Sequence, residues 1–200
     1  MVYRILFGVI LECFVNLAIG AEAANVDYEK ARMKFAADPA YKPYAILGIE
    51  SAMTKQAMQL WRDGDSFAAL KKLDELLAIY PFSIMAHKMI GDSYESLVSP
   101  NNKPAQNAEL KRLSKKYLEI AEKIITSITR GTQCSSFKDN CRVINIAEEE
   151  MVLWRLGFSK KKQSLDKHNG DSYDVLQAEN GAGKKQKFVF NTSVLNADHK

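Results

Sequence analysis

The chain has 200 residues and a formal net charge of +4, with 28 Lys and Arg residues against 24 Asp and Glu residues. This length lies in the usual range of a single domain and is enough to bury a hydrophobic core. The small basic excess is spread along the chain, so it does not form the concentrated positive patch typical of nucleic-acid-binding proteins. The composition therefore favours a globular protein and does not favour a nucleic-acid partner.

Residues 1–23 have the pattern of an export signal. Arg4 supplies a basic start, residues 5–19 are mostly apolar, and Ala21-Glu22-Ala23 offers small residues where a signal peptidase cleaves. A membrane span needs about 20 apolar residues, and Glu12 interrupts this run. We expect cleavage near Ala23 and a mature protein outside the cytoplasm, in the bacterial periplasm or secreted. The alternative is an uncleaved amphipathic anchor.

Two cysteines remain in the mature chain, Cys134 and Cys141. In an oxidising compartment, such a closely spaced pair forms a disulfide. Its spacing differs from that of thioredoxin-type redox motifs, so we predict a structural cross-link and not a catalytic dithiol. A loop this short is stabilised by about 2 to 3 kcal/mol on the chain-entropy model.

Apolar residues recur at helical spacing through residues 24–130, with breaks where proline and glycine cluster. The connection at residues 41–44 is expected to be extended or turning, because proline disfavours a helical residue before it. Asp65 or Ser66 is expected to cap a helix, and residues 98–104 form a loop. The spacing predicts helices over residues 28–37, 46–62, 66–80 and 105–128, and one more that carries Ile90, Gly91 and Tyr94.

Several of these residues stand at the offsets of a tetratricopeptide repeat, in which paired helices of about 34 residues stack. Gly91 is expected to let its helix approach a neighbouring helix closely. The pattern therefore predicts a tetratricopeptide-like helical unit over residues 24–130. The residues at these offsets are Gly64, Ala69, Leu73 and Pro81 in one unit, and Ile90, Gly91 and Tyr94 in the next.

The period changes after Gly131, and residues 131–191 are expected to form a β-rich part packed on the helices. Residues 192–200 are polar and are expected to be a frayed tail. The predicted fold class is α+β: tetratricopeptide-like antiparallel helical hairpins, followed by a small antiparallel β meander with one short helix. Its predicted elements are a strand at 142–146, a helix at 148–156, and strands around Leu165, at 173–176 and at 187–190, with a turn at 180–183.

Several short motifs also occur together along the mature chain: Asp38-Pro39, residues 41–44, Gly64-Asp65, Tyr80-Pro81, Gly131-Thr132 and residues 170–176. In this order they resemble the exported bacterial proteins catalogued as Domain of Unknown Function 4919. The resemblance covers nearly the whole mature chain, and it implies a tetratricopeptide-like helical unit followed by a β-rich end. It implies no activity, because that family has no established one. The cysteine pair after Gly131-Thr132 departs from the family's pattern.

The polar stretch from His168 to Asp174 is the place where an enzymatic site is conceivable. Ser172 as a nucleophile with His168 as its base would make a small-molecule hydrolase, although no strand-to-helix elbow accompanies them. The acidic residues around them match no calcium-loop template, and Asn169-Gly170 is typical of a polar β-turn. We predict no metal site and no cofactor.

Six lysines flank the predicted strands: Lys160, Lys161, Lys162, Lys184, Lys185 and Lys187. Lysine on a strand edge commonly prevents sheet-to-sheet aggregation, so these residues are weak candidates for a basic rim that contacts an acidic partner or a membrane surface. The preferred interpretation is an exported, non-enzymatic module that binds an envelope protein or a peptide, since helix-pair repeats present a groove to such partners. The alternative is the hydrolase near His168 to Asp174.

Overall fold

A computed structural model describes residues 26–195 of the chain. The predicted export signal and cleavage site at residues 1–23 lie outside the described residues, as does the end of the predicted tail at residues 196–200. Within the described part, helices occupy the amino-terminal half, and a sheet with one further helix follows. The fold class is α+β, as predicted.

Five helices form the first half. Three of them begin at a side chain that accepts a backbone N–H of the first turn: Asp27 from Lys30, Asp65 from Ala68, and Ser83 from Ala86, at 3.0 to 3.1 Å. Their bounds are α1 Tyr28–Ala36, α2 Pro43–Arg62, α3 Ser66–Ile79, α4 Ile84–Ser96 and α5 Pro104–Thr129.

Helix α2 begins earlier than the sequence predicts. Residues 41–44 were expected to be extended or turning, but Pro43 is the first residue of the helix and Lys42, with φ −124°, is the extended residue before it. Proline is well suited to this position because its missing N–H has no intrahelical partner there in any case. Proline disfavours a helical conformation only for the residue before it, which is Lys42, so Tyr44 can be helical.

Helices α4 and α5 approach closely at Gly91. A Cβ atom at this position would lie 2.7 Å from Cγ of Leu118 and 3.2 Å from the backbone oxygen of Ser114, both on α5. Such distances are shorter than van der Waals contact, so only glycine fits without a shift of α5. This confirms the packing role that the sequence gives to Gly91.

The second half contains β1 Cys141–Arg142, α6 Ile146–Arg155, β2 Phe158–His168, β3 Asp171–Asn180 and β4 Lys185–Asn191. The strand order in the sheet is β1-β4-β3-β2. Strands β2, β3 and β4 form the predicted antiparallel meander, but β1 pairs with β4 in parallel, so the sheet is mixed. The strand predicted at 142–146 is wrong in extent, because Asn145 caps α6 and the helix starts at Ile146.

One face of the sheet packs on the helices. Leu176 and Ala178 of β3 and Phe188 and Phe190 of β4 are at most 2% exposed, and they belong to the same buried cluster as the cores of α3, α4 and α5. The prediction of a frayed tail is wrong for residues 192–195. Leu195 is buried in that cluster, and the N–H of Thr192 donates to the backbone oxygen of Ser172 at 2.9 Å.

Candidate functional site

Strand β2 is a long edge strand that adds almost nothing to the core. Ten of its eleven residues are exposed, and only Phe158 is partly covered, by Phe188. Within residues 26–195 the strand pairs with β3 alone. Leu165, in its middle, is 78% exposed. An exposed edge strand presents unpaired backbone groups with which another chain can pair.

The six lysines lie around this sheet but do not form one cluster. Lys162 and Lys187 both pair in register with Gln177 of β3, so they lie on the same face, the one turned away from the helices. Lys185 lies on that face too, opposite Glu179. Lys160 lies on the helix-facing side.

The lysines also differ in their contacts. Lys160 forms an ion pair with Glu150 at 3.5 Å. Lys161 is the extra residue of a β-bulge between Lys160 and Lys162. Lys184 precedes β4 in the turn, where its N–H donates to Asn180. The predicted basic rim is therefore divided between the two faces of the sheet.

The structure does not bring His168 and Ser172 together. In the β2–β3 hairpin His168 pairs with Asp171 and Lys167 pairs with Ser172. Adjacent pairs in an antiparallel ladder point to opposite faces, so the imidazole and the hydroxyl are on opposite sides of the sheet. The His168 ring stacks on Phe137 with a centroid distance of 4.7 Å.

The turn itself is as predicted, since Asn169 and Gly170 have φ values of 52° and 88°. Asp171 accepts a hydrogen bond from the Ser193 hydroxyl at 2.9 Å. The stretch from His168 to Asp174 is therefore a tight hairpin turn tied to the chain end by Ser193.

Beneath the β2–β3 hairpin lies a buried pair of carboxyl groups, Glu149 on α6 and Asp174 on β3. Glu149 is 0% exposed and Asp174 is 4% exposed. Among the residues that the structure describes, no donor group bonds to either oxygen of Glu149. One oxygen of Asp174 accepts a hydrogen bond from Gln163 Nε2 at 2.6 Å, and its other oxygen has no donor. One proton shared between the two carboxyl groups joins an oxygen of Glu149 to an oxygen of Asp174. Burial, and then the charge of Asp174, raise the pKa of Glu149 to about 9, and burial also raises the pKa of Asp174.

A second buried cluster joins the helices to α6 through Arg32 of α1. Its guanidinium binds both oxygens of Glu148, from Nε at 3.0 Å and from Nη2 at 2.6 Å. Glu148 also accepts the Tyr80 hydroxyl at 3.1 Å and the Ile144 N–H at 2.8 Å. Every oxygen of this carboxylate is satisfied and the charge is neutralised, so the cluster fixes the position of α6 and has no free group for chemistry.

Glu50 of α2 is buried beside this cluster. It accepts hydrogen bonds from the Ser83 hydroxyl at 2.5 Å and from Asn145 Nδ2 at 3.2 Å. Burial raises its pKa to about 7. Because Ser83 and Asn145 are also the caps of α4 and α6, Glu50 ties α2 to the first turns of two other helices.

Cys134 and Cys141 form the predicted disulfide. Both residues are fully buried, and their Cα atoms are 5.0 Å apart. The backbone oxygen of Cys134 accepts the N–H of Val189 at 2.6 Å. The cross-link therefore holds its loop against the outer side of β4, which is a structural role.

Sequence reasoning missed the buried carboxyl groups. Glu149 lies one residue from exposed Glu150 in a run of three glutamates, and such a run reads as a solvated helix face. The position of each residue could have indicated its burial. Glu149 lies three and four residues before buried Val152 and Leu153, on the same side of the helix, and Asp174 lies two residues before buried Leu176, on the same face of the strand.

Within residues 26–195, no set of three or more His, Cys, Asp or Glu side chains is arranged to hold a metal ion. In the same range, no helix combines the length and the apolar character that crossing a membrane requires. The chain matches no protein-family model, no curated protein and no solved structure. The resemblance to the exported bacterial family and the tetratricopeptide-like pattern therefore stay predictions.

Proposed function

We propose that this protein is an exported, non-enzymatic module that binds a protein or a peptide outside the cytoplasm. The observation that carries the proposal is the exposure of β2, a strand of eleven residues of which ten face solvent. A strand that buries so little contributes little to the core, so its length is better accounted for by contact with another molecule.

Two further observations support this proposal over the hydrolase near His168 to Asp174. The register places His168 and Ser172 on opposite faces of the sheet, so His168 is not placed to act as the base of Ser172. The carboxyl groups of Glu149 and Asp174 can titrate, but these residues are 0% and 4% exposed, so a substrate cannot reach them. The disulfide agrees with an oxidising compartment, and the export signal predicted at residues 1–23 supplies the route there.

Site-specific photo-cross-linking in the cell that makes the protein tests the proposal. A photoreactive residue replaces Ser164 on β2 in one variant. In another it replaces Lys115, which with Leu118 and Glu122 lines a shallow depression along α5. We expect a discrete adduct with a protein or peptide of the extracytoplasmic compartment, which an excess of unlabelled protein suppresses. A serine-hydrolase probe that labels Ser172, or a protein recovered from the cytoplasm with residues 1–23 intact, would contradict the proposal.

A further inference from the structure

We propose that β2 accepts an acidic, extended peptide segment as an additional strand of the sheet. This inference rests on the proposed binding function and assigns its surface and the chemistry of its partner. The recognition surface consists of residues 162–168, which we call the β2 edge, together with Lys160 and Lys161 at its start.

The geometry of the β2 edge suits strand addition. The bulge at Lys161 interrupts regular pairing, and from Lys162 to His168 every residue pairs in unbroken register with β3. Alternate N–H and C=O groups of such a segment point away from β3, toward an incoming strand. Seven residues at about 3.3 Å each make an edge of roughly 23 Å, long enough for a peptide of six or seven residues.

The charge of the strand selects the partner. β2 carries four lysines, Lys160, Lys161, Lys162 and Lys167, and one aspartate, Asp166. Lys187 of β4 lies on the same face as Lys162, and β2 and β3 lie between β4 and the incoming chain. A segment with glutamate or aspartate near both of its ends places its carboxylates beside Lys160 to Lys162 at one end and Lys167 at the other, and opposite charges on neighbouring strands attract.

Leu165 defines the centre of the partner segment. It lies on the same side of β2 as Gln163 and Lys167, with 78% of its surface exposed. An apolar side chain of the added strand that faces Leu165 removes apolar surface of both residues from water. The fitting segment is therefore acidic toward its ends and apolar at one central position.

The same lysines exclude a second copy of this chain as the occupant. Lysine protects exposed strand edges because a second copy brings the same net positive charge to the contact. An acidic strand meets no such repulsion. The protective role of these lysines and their role in choosing an acidic partner are two consequences of one charge pattern.

The test uses the purified mature protein and a fluorescent seven-residue peptide with two glutamates at each end and Thr-Val-Thr in its centre. A control peptide has the same sequence with two central D-residues, so it keeps the charge but cannot form a strand. We expect the first peptide to bind and the control to bind at least roughly tenfold more weakly. Amide hydrogen exchange should slow within residues 162–168 when the first peptide is bound.

Matched variants separate the lysines of β2 from general basicity. The combined change Lys161→Gln, Lys162→Gln, Lys167→Gln should weaken binding roughly tenfold, because it removes most of the strand's positive charge. The control variant Lys34→Gln, Lys55→Gln, Lys71→Gln removes three other exposed lysines and should bind like the parent. Circular dichroism confirms that each variant is folded.

The inference is overturned if both peptides bind equally, if protection appears outside β2, or if no binding occurs at about 1 mM peptide. Vesicles of phosphatidylglycerol and phosphatidylcholine are the second probe. Binding to anionic vesicles that requires the β2 lysines, without binding of the peptide, assigns the surface to lipid and also overturns the inference. If cross-linking captures a partner at Lys115 and not at Ser164, the proposed function survives and this inference fails.

Discussion

Replacing Glu149 with glutamine removes the titrating group of the buried carboxyl pair and keeps its shape. In the folded protein the pKa of Glu149 is about 9, against an ordinary value of 4.5. Between these two values the folded state holds one proton that the unfolded state has lost. The free energy of unfolding therefore falls as pH rises from 4.5 to about 9, by up to about 1.4 kcal/mol per pH unit.

The window from pH 7.5 to pH 9 isolates this group. Burial raises the pKa of Glu50 to about 7 and that of Asp74 to about 6, and it lowers the pKa of His87 to about 4, so these groups titrate mostly below the window. With a folded pKa of about 9, integration over the window gives a loss of roughly 1 to 2 kcal/mol for the parent protein. The Glu149→Gln variant should lose almost nothing.

Urea unfolding followed by far-ultraviolet circular dichroism at several pH values measures this difference. The control is Glu150→Gln, the same chemical change at the neighbouring position, whose side chain is 64% exposed. It should keep the pH dependence of the parent protein. An unfolding free energy of the parent that stays constant from pH 7.5 to pH 9, or a Glu149→Gln variant with the parent's slope, would refute the shared proton.

Four further changes test the packing of the fold, each by urea unfolding. Gly91→Ala should lower the free energy of unfolding by about 1 to 2 kcal/mol, because the added Cβ meets Leu118. Gly48 is a helical glycine with open space around it, so Gly48→Ala should raise the free energy of unfolding by about 0.5 to 1 kcal/mol. Cys134→Ala with Cys141→Ala should lower it by about 2 to 3 kcal/mol, and no change would mean that the disulfide does not restrict the unfolded chain. Arg32→Met should lower it by about 3 to 5 kcal/mol, because it leaves a buried carboxylate without its cation.

The helical half could be predicted from the sequence because its signals are local. Gly64 and Asp65 mark the turn between α2 and α3, and Asp65 caps α3 as expected. Gly91 indicated a close helix contact from its position in a repeat pattern. Proline is harder to interpret, because the sequence predicts a connection through residues 41–44, whereas Pro43 is the first residue of α2.

The sheet could be predicted only where strands are neighbours in sequence. The turns at Asn169-Gly170 and at residues 180–183 define the β2–β3–β4 meander. The parallel pairing of Cys141 with Phe190 joins parts of the chain that are distant in sequence, so no local sequence pattern indicates it. The end of β1 is also a tertiary effect, because the Ile144 N–H donates to Glu148 and not to another strand.

The candidate site also combines features that local sequence patterns indicate with features that depend on tertiary contacts. The lysines could be identified as a group from the sequence, but their distribution over two faces depends on the bulge at Lys161 and on the register with β3. The carboxyl pair joins α6 to β3, so neither member indicates the other. His168 and Ser172 are close in sequence, and the alternation of a strand ladder separates them.

The two edges of the sheet differ in whether other parts of the chain cover them. At the β1 side, the oxygen of Cys134 accepts the N–H of Val189, and the oxygen of Arg142 accepts a hydrogen bond from the buried Arg32 at 3.1 Å. That side is capped by the chain itself, whereas the β2 edge is open. Within residues 26–195 only the β2 side of the sheet is open, so copies of this chain cannot join edge to edge on both sides of the sheet into a fibre.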